Sequence, residues 1–142
     1  MKICFQTVQF LFSYNAPSQP FKPKLSGISA KLLAAYLYWN NIVRHIPKMR
    51  RYSLGVNIEK LFAEVLKLTS AAQFSTKEKR PALISEAITN NDVLKFMLYA
   101  LWELKGIGEN HFLELSSRFE EIGRMLYGWR QKILSENRPP ER

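Results

Sequence analysis

The chain reads as an all-α protein, an antiparallel up-down four-helix bundle. Apolar residues recur at alternating spacings of three and four in four separate stretches, which puts each set on one stripe of a helix. The connections between these stretches are short. A length of 142 residues with 46% hydrophobic content supports one core and no second ordinary domain.

Residues 1–27 are read as an extended N-terminal segment and linker. Residues 3 to 12 (ICFQTVQFLF) follow one lysine and invite comparison with the apolar region of a secretion signal, but Gln6 and Gln9 interrupt it. A strand-like tail, or a start placed too far upstream, accounts for it better. Residues 15 to 27 (NAPSQPFKPKLSG) hold three prolines and a glycine, which disfavour helix.

The bundle is assigned to residues 28–135. The first stripe is Ile28, Leu32, Ala35, Trp39, Ile42 and Ile46, ended by Pro47. The second is Leu54, Ile58, Leu61, Val65, Leu68 and Ala72. For the third, Ser75 and Glu78 resemble a capping box, yet Pro81 then falls inside the second turn, so a start nearer Arg80 is the alternative. Its stripe is Leu83, Ala87, Leu94, Met97, Leu101 and Leu104, with Asn90 as a polar exception and Gly106 and Gly108 closing the helix. The fourth and cleanest is Phe112, Leu115, Phe119, Ile122, Leu126, Trp129 and Ile133. Residues 136–142 are read as a frayed, disordered tail.

One bundle does not absorb all of the apolar surface. Residues 93 to 102 (VLKFMLYALW) are apolar on nearly every face, and Leu33, Tyr36, Leu37, Tyr38 and Val43 lie off the first stripe. Either the chain self-associates, because large exposed apolar patches are rare on monomers, or these groups thicken an aromatic-rich core.

Charge is distributed unevenly. The net charge is +9, and no acid precedes Glu59. Up to residue 58 there are eight cations, Lys2, Lys22, Lys24, Lys31, Arg44, Lys48, Arg50 and Arg51; beyond it thirteen cations face twelve acids. Such a patch attracts polyanions, and phosphate contacts release counterions, so binding of this kind is salt-sensitive. It densest part is RHIPKMRRYSLG, residues 44 to 55, in which Arg44, His45, Lys48, Arg50 and Arg51 crowd a helix junction beside Tyr52. Cations fixed there contact phosphates and an adjacent aromatic stacks on a base. The plainer reading is a turn shaped by Pro47 and Gly55 with solvated charges.

The sequence offers little for catalysis. Cys4 is the single cysteine, which excludes disulfides within the chain and thiolate zinc sites and fits a reducing compartment. His45 and His111 lie in no metal-binding spacing, and no nucleophile elbow or phosphate loop occurs. Glu103, Glu109, Glu114, Glu120 and Glu121 cluster late, most simply as a solvated face next to Arg118 and Arg124. The expectation is a protein that is not an enzyme and has no metal, no cofactor and no membrane span. In EEIGRMLYGWRQK, residues 120 to 132, Gly123 and Gly128 sit inside a helix at a cost of about 1 kcal/mol each, which points to close approach of a neighbour.

At these strings the sequence resembles the accessory variability proteins of diversity-generating retroelements, a family of four-helix bundles. The matching elements are Ile46-Pro47-Lys48, Arg51-Tyr52-Ser53-Leu54-Gly55, Leu94-Lys95-Phe96, and Glu121-Ile122-Gly123-Arg124 with Leu126, Gly128 and Trp129. The resemblance spans residues 28 to 133; residues 1–27 exceed the family pattern. It implies a cytoplasmic, bacterial or phage-encoded protein without catalytic activity, assembled into a ring-like homopentamer. Its implied partners are a reverse transcriptase and the template RNA or DNA used in mutagenic retrohoming. It also implies that Lys48, Arg50 and Arg51 lie on a basic surface, that Lys95 contacts polymerase or nucleic acid, and that Gly123, Gly128 and Trp129 are structural. Bundles encoded in intervening sequences of ribosomal RNA genes are the nearest relatives in pattern. The alternative function is a structural oligomeric adaptor with no nucleic-acid role.

Overall fold

The computed structural model describes residues 25–141. The readings made above for residues 1 to 24, the interrupted apolar segment and most of the proline-rich linker, lie outside them. The described residues are all-helical. They form α1 (Gly27–Val43), a single turn α2 (Lys48–Arg50), a π-helical turn (Arg51–Gly55), α3 (Val56–Phe74), α4 (Arg80–Glu103) and α5 (Glu109–Glu136). The four long helices, α1, α3, α4 and α5, pack into one bundle in which α1 meets α3 and α5, and α4 meets α3 and α5.

Each helix begins and ends for a local reason. The Ser26 side chain caps α1 by accepting from the Ser29 amide at 3.2 Å, so the helix starts one residue before its first apolar position. Ser75 is not the start of α4. Its hydroxyl donates back to the Ala72 carbonyl at 3.0 Å, ending α3, while Pro81 occupies the first turn of α4, where its missing amide costs nothing. α4 ends at Leu104, and the amides of Lys105 and Gly106 bond back to the carbonyls of Trp102 and Leu101. The left-handed residue of this stop is Lys105, with φ 61°, and not a glycine. Gly106 serves close packing instead, since a Cβ there would run into the Leu101 side chain. Gly108 is extended and precedes α5.

Of the first stripe, Leu32, Ala35, Trp39 and Ile42 are buried on α1 and Ile46 in the turn beyond it, since α1 ends at Val43 and not at Pro47, while Ile28 is only partly buried; α5 buries Leu115, Phe119, Ile122, Leu126 and Ile133, with Phe112 and Trp129 partly buried. In α3 the fully buried Phe62 replaces Leu61, which is only partly buried. Phe62 is the aromatic centre of the core. Its ring lies 4.9 Å from that of Phe119, 5.6 Å from Tyr36 and 6.1 Å from Trp39, so one side chain joins α3 to α5 and α1.

α4 is where the expected phase slips. Ile84 and Leu98 are buried rather than Leu83 and Met97, and Leu104 is exposed. The buried polar residue is Asn91, not Asn90. A helix that is apolar on most faces gives periodicity little to choose between. The Asn91 amide donates to the Phe119 carbonyl at 3.1 Å, and Gly123 provides the room for it. A Cβ at Gly123 would sit 3.2 Å from the Asn91 amide nitrogen, whereas nothing lies within 4 Å of the corresponding position at Gly128.

Of the apolar groups beyond the stripes, Tyr36, Tyr38 and Val43 pack against the core, while Leu33, Leu37, Val93, Phe96 and Tyr99 remain exposed. Trp102 stacks on Phe112 with ring centroids 4.7 Å apart, tying the end of α4 to the start of α5. The chain does not simply fray after Ser135: Asn137 ends α5, and its side-chain amide donates to the Lys77 carbonyl at 2.9 Å.

The two helical glycines therefore respond oppositely to alanine. Gly128→Ala removes only the helix penalty and stabilises by about 1 kcal/mol, a rise in Tm of roughly 4 °C. Gly123→Ala presses on a buried, hydrogen-bonded amide and lowers Tm by a few degrees, on the scale of overpacking. Thermal unfolding followed by circular dichroism separates them.

Candidate nucleic-acid interface

The basic cluster occupies the corner between α1 and α3. Arg44, His45, Ile46 and Pro47 make the turn, and from Lys48 the chain is helical without interruption, through α2 and the π-helical turn into α3. Gly55 thus lies buried within helical backbone rather than in a loop. Pro47 stands just before α2, where its carbonyl accepts from the amides of Arg50 and Arg51. A π-turn widens the helix by one residue and disturbs the regular carbonyl pairing. The Ser53 hydroxyl compensates by donating to the Met49 carbonyl at 2.9 Å.

The four lysine and arginine side chains of this corner divide into two groups. Arg44 and Lys48 are exposed, Arg50 is half-buried, and none of the three pairs with a carboxylate among the described residues. Arg44 makes only a hydrogen bond to the Asn41 carbonyl in its own helix. Arg51 is committed to structure. Its Nη2 donates to the carbonyls of Arg44 at 2.6 Å and Ile46 at 2.9 Å, both in the turn that follows α1, and its Nε is buried with no partner.

Lys95 lies apart from this corner. Its ammonium sits 3.0 Å from Asp92 and 3.1 Å from Glu120. Burial pushes its pKa down, but the hydrogen bonds it donates to the two carboxylates outweigh that and leave the pKa above the usual lysine value. Lys95 is thus a charged bridge between α4 and α5 throughout the neutral range. The late acids are similarly engaged: Glu114 pairs with Arg118 at 2.7 Å and Glu121 with Lys31 at 3.1 Å. Among the described residues no group of three or more His, Cys, Asp or Glu is placed to hold a metal ion. No helix among them is long and apolar enough to cross a membrane.

The site contains residues the sequence pattern did not single out. Glu59, the first acid of the chain, accepts from the Tyr36 hydroxyl at 2.5 Å and from Trp39 Nε1 at 2.7 Å. These bonds satisfy the buried indole and tie α1 to α3, and the contact with Glu59 raises the Tyr36 pKa. The available signal was its spacing, one residue after the buried Ile58 at the edge of the stripe. Beside Glu59 an open cleft of about 370 Å³ runs between Val43 on α1 and Tyr52, Gly55 and Val56 on the helix that follows, with Lys60 at its end. Tyr52 is 66% exposed. Trp129 packs against the core, as the sequence implied, at the far end of α5.

No protein-family model and no curated protein sequence matches this chain.

Arg51→Ala is expected to cost about 2 kcal/mol, the scale of lost hydrogen bonds from a charged donor, and to lower Tm by roughly 8 °C. Arg51→Lys recovers little, because the shorter lysine does not carry its ammonium to the place the planar guanidinium gives Nη2. Lys48→Ala and Arg44→Ala change stability by less than about 0.5 kcal/mol, so thermal melts distinguish the clamp from the free cations.

Proposed function

We propose that this protein is a non-enzymatic, nucleic-acid-binding accessory protein that serves a retroelement reverse transcriptase and its template RNA or DNA during mutagenic retrohoming. The observation that carries the nucleic-acid part is the corner of Arg44, Lys48 and Arg50. These cations, two exposed and one half-buried, sit at a turn braced by Arg51, with no carboxylate of the described residues to neutralise them. Cations held this way contact phosphates and carry no direct base information, so the binding has little sequence specificity. The reverse transcriptase as partner rests on the resemblance of residues 46 to 55, 94 to 96 and 121 to 129 to the retroelement accessory bundles.

The same reading takes the bundle as up-and-down and the working form as a homo-oligomer, by resemblance a pentameric ring in the cytoplasm of a bacterium. Contacts of Ser85 with Arg130 and of Trp102 with Phe112 support opposite directions for α4 and α5. The exposed Val93, Phe96 and Tyr99 on α4, with Leu33 and Leu37 on α1, supply apolar surface for assembly. The α4 face also favours a second reading, a structural oligomeric adaptor that holds protein and has no nucleic-acid role.

Charge reversal separates the two. Arg44→Glu, Lys48→Glu and Arg50→Glu together are expected to lower retention of RNA and DNA at low salt on the order of a hundredfold, with the circular dichroism spectrum and the mass by light scattering unchanged. Unaltered retention refutes the basic corner as the contact surface, and no retention by the unmodified protein at low salt supports the adaptor. A monomeric mass for the unmodified protein at micromolar concentration contradicts the assembly.

A further inference from the structure

The cleft beside the basic corner carries the reading further. Four residues follow one another at helical spacing along one side of α2, the π-turn and α3: Lys48, Tyr52, Val56 and Lys60. Tyr52 and Val56 are exposed although they are large and apolar, and Met49 next to them is 77% exposed. Residues four apart on a helix are neighbours, so the sequence of side chains along this face is cation, aromatic, aliphatic, cation. From Lys48 to Lys60 the face extends about 18 Å at 1.5 Å per residue. Val43 of α1 forms the opposite wall, and the stretch from Tyr52 to Lys60 lines an open cleft of about 370 Å³.

Its chemistry separates bases from phosphates. The walls are Val43, Tyr52, Gly55 and Val56, and the one cation among them, Arg51, is committed to the Arg44 and Ile46 carbonyls. The one carboxylate lining the cleft, Glu59, is held by Tyr36 and Trp39 and repels a phosphate from the interior, while its remaining lone pairs accept from the amino groups of a base. Lys60 lines one end of the cleft, and Lys48, four residues before Tyr52 in continuous helix, lies beyond the other; neither pairs with a described carboxylate. A flat ring therefore fits the interior, and anionic groups fit the two ends.

Resting on the nucleic-acid reading above, we propose that this cleft binds single-stranded nucleic acid, with an unpaired base stacked on Tyr52 against Val43 and Val56 and the flanking phosphates on Lys48 and Lys60. Duplex is excluded from the cleft because its bases are stacked on one another and present no free face, whereas every unpaired base has one. Stacking and phosphate contacts touch no 2′-hydroxyl, so RNA and DNA single strands bind alike.

The test uses the full chain and a short single-stranded oligonucleotide carrying one 2-aminopurine, alongside the same sequence as RNA, as DNA and as a duplex. With the unmodified protein, 2-aminopurine fluorescence falls on binding, and RNA and DNA single strands have similar Kd values. Tyr52→Ala weakens single-strand binding about tenfold or more, abolishes the fluorescence change and leaves duplex binding as it was. Tyr52→Phe restores both. Because Tyr52 is exposed, circular dichroism should show both variants folded. If Tyr52→Ala binds single strands as tightly as the unmodified protein while charge reversal at Arg44, Lys48 and Arg50 still abolishes binding, the cleft is refuted and the basic corner stands. If the unmodified protein binds neither strand nor duplex at low salt, both fail together.

Discussion

The corner between α1 and α3 is turned with only Arg44, His45, Ile46 and Pro47 outside regular helix, and the carbonyls exposed there are satisfied by one side chain, Arg51. A helix end left without partners is costly wherever water is excluded. The Arg51 guanidinium meets two of these carbonyls at once through the two hydrogens of its Nη2. The same solution recurs at the next corner, where Arg80 Nε donates to the Ala72 carbonyl and Nη2 to that of Ser75, both at 2.8 Å. Two connections are thus held by arginines that belong to the following helical segment. At the first, the clamp fixes the tip on which Arg44, Lys48 and Arg50 are displayed.

This arrangement explains what was legible in the sequence. The stripes of α1 and α5 read correctly because each helix has a polar side against which the apolar side stands out. α4 did not, because residues 93 to 102 are apolar around most of the circumference, and the choice between Met97 and Leu98 is made by packing against α3 and α5. Phe62 was hidden for a related reason: Leu61 and Phe62 both fit the period, and only the space beside Phe119 and Trp39 selects the larger ring.

The candidate site was legible by composition and not by role. Arg44, Lys48, Arg50 and Arg51 share a charge and a neighbourhood, yet one braces the backbone and the other three have no carboxylate partner among the described residues. Charge type does not reveal hydrogen-bond partners, which depend on where α1 happens to end. Lys95 shows the same limit. Its partners Asp92 and Glu120 come from its own helix and from α5, and only the packing of the two helices makes it a bridge instead of an open cation. Gly123 and Gly128 are indistinguishable in sequence, and the buried amide of Asn91 opposite one of them sets their roles apart.

The central claim is that the braced corner binds nucleic acid through phosphate contacts, and its most direct test is the dependence of affinity on salt. With three or four cations engaged on a single strand, log Kd plotted against log salt concentration should rise with a slope of roughly 2 to 3. A slope near zero, with binding retained, would contradict the account.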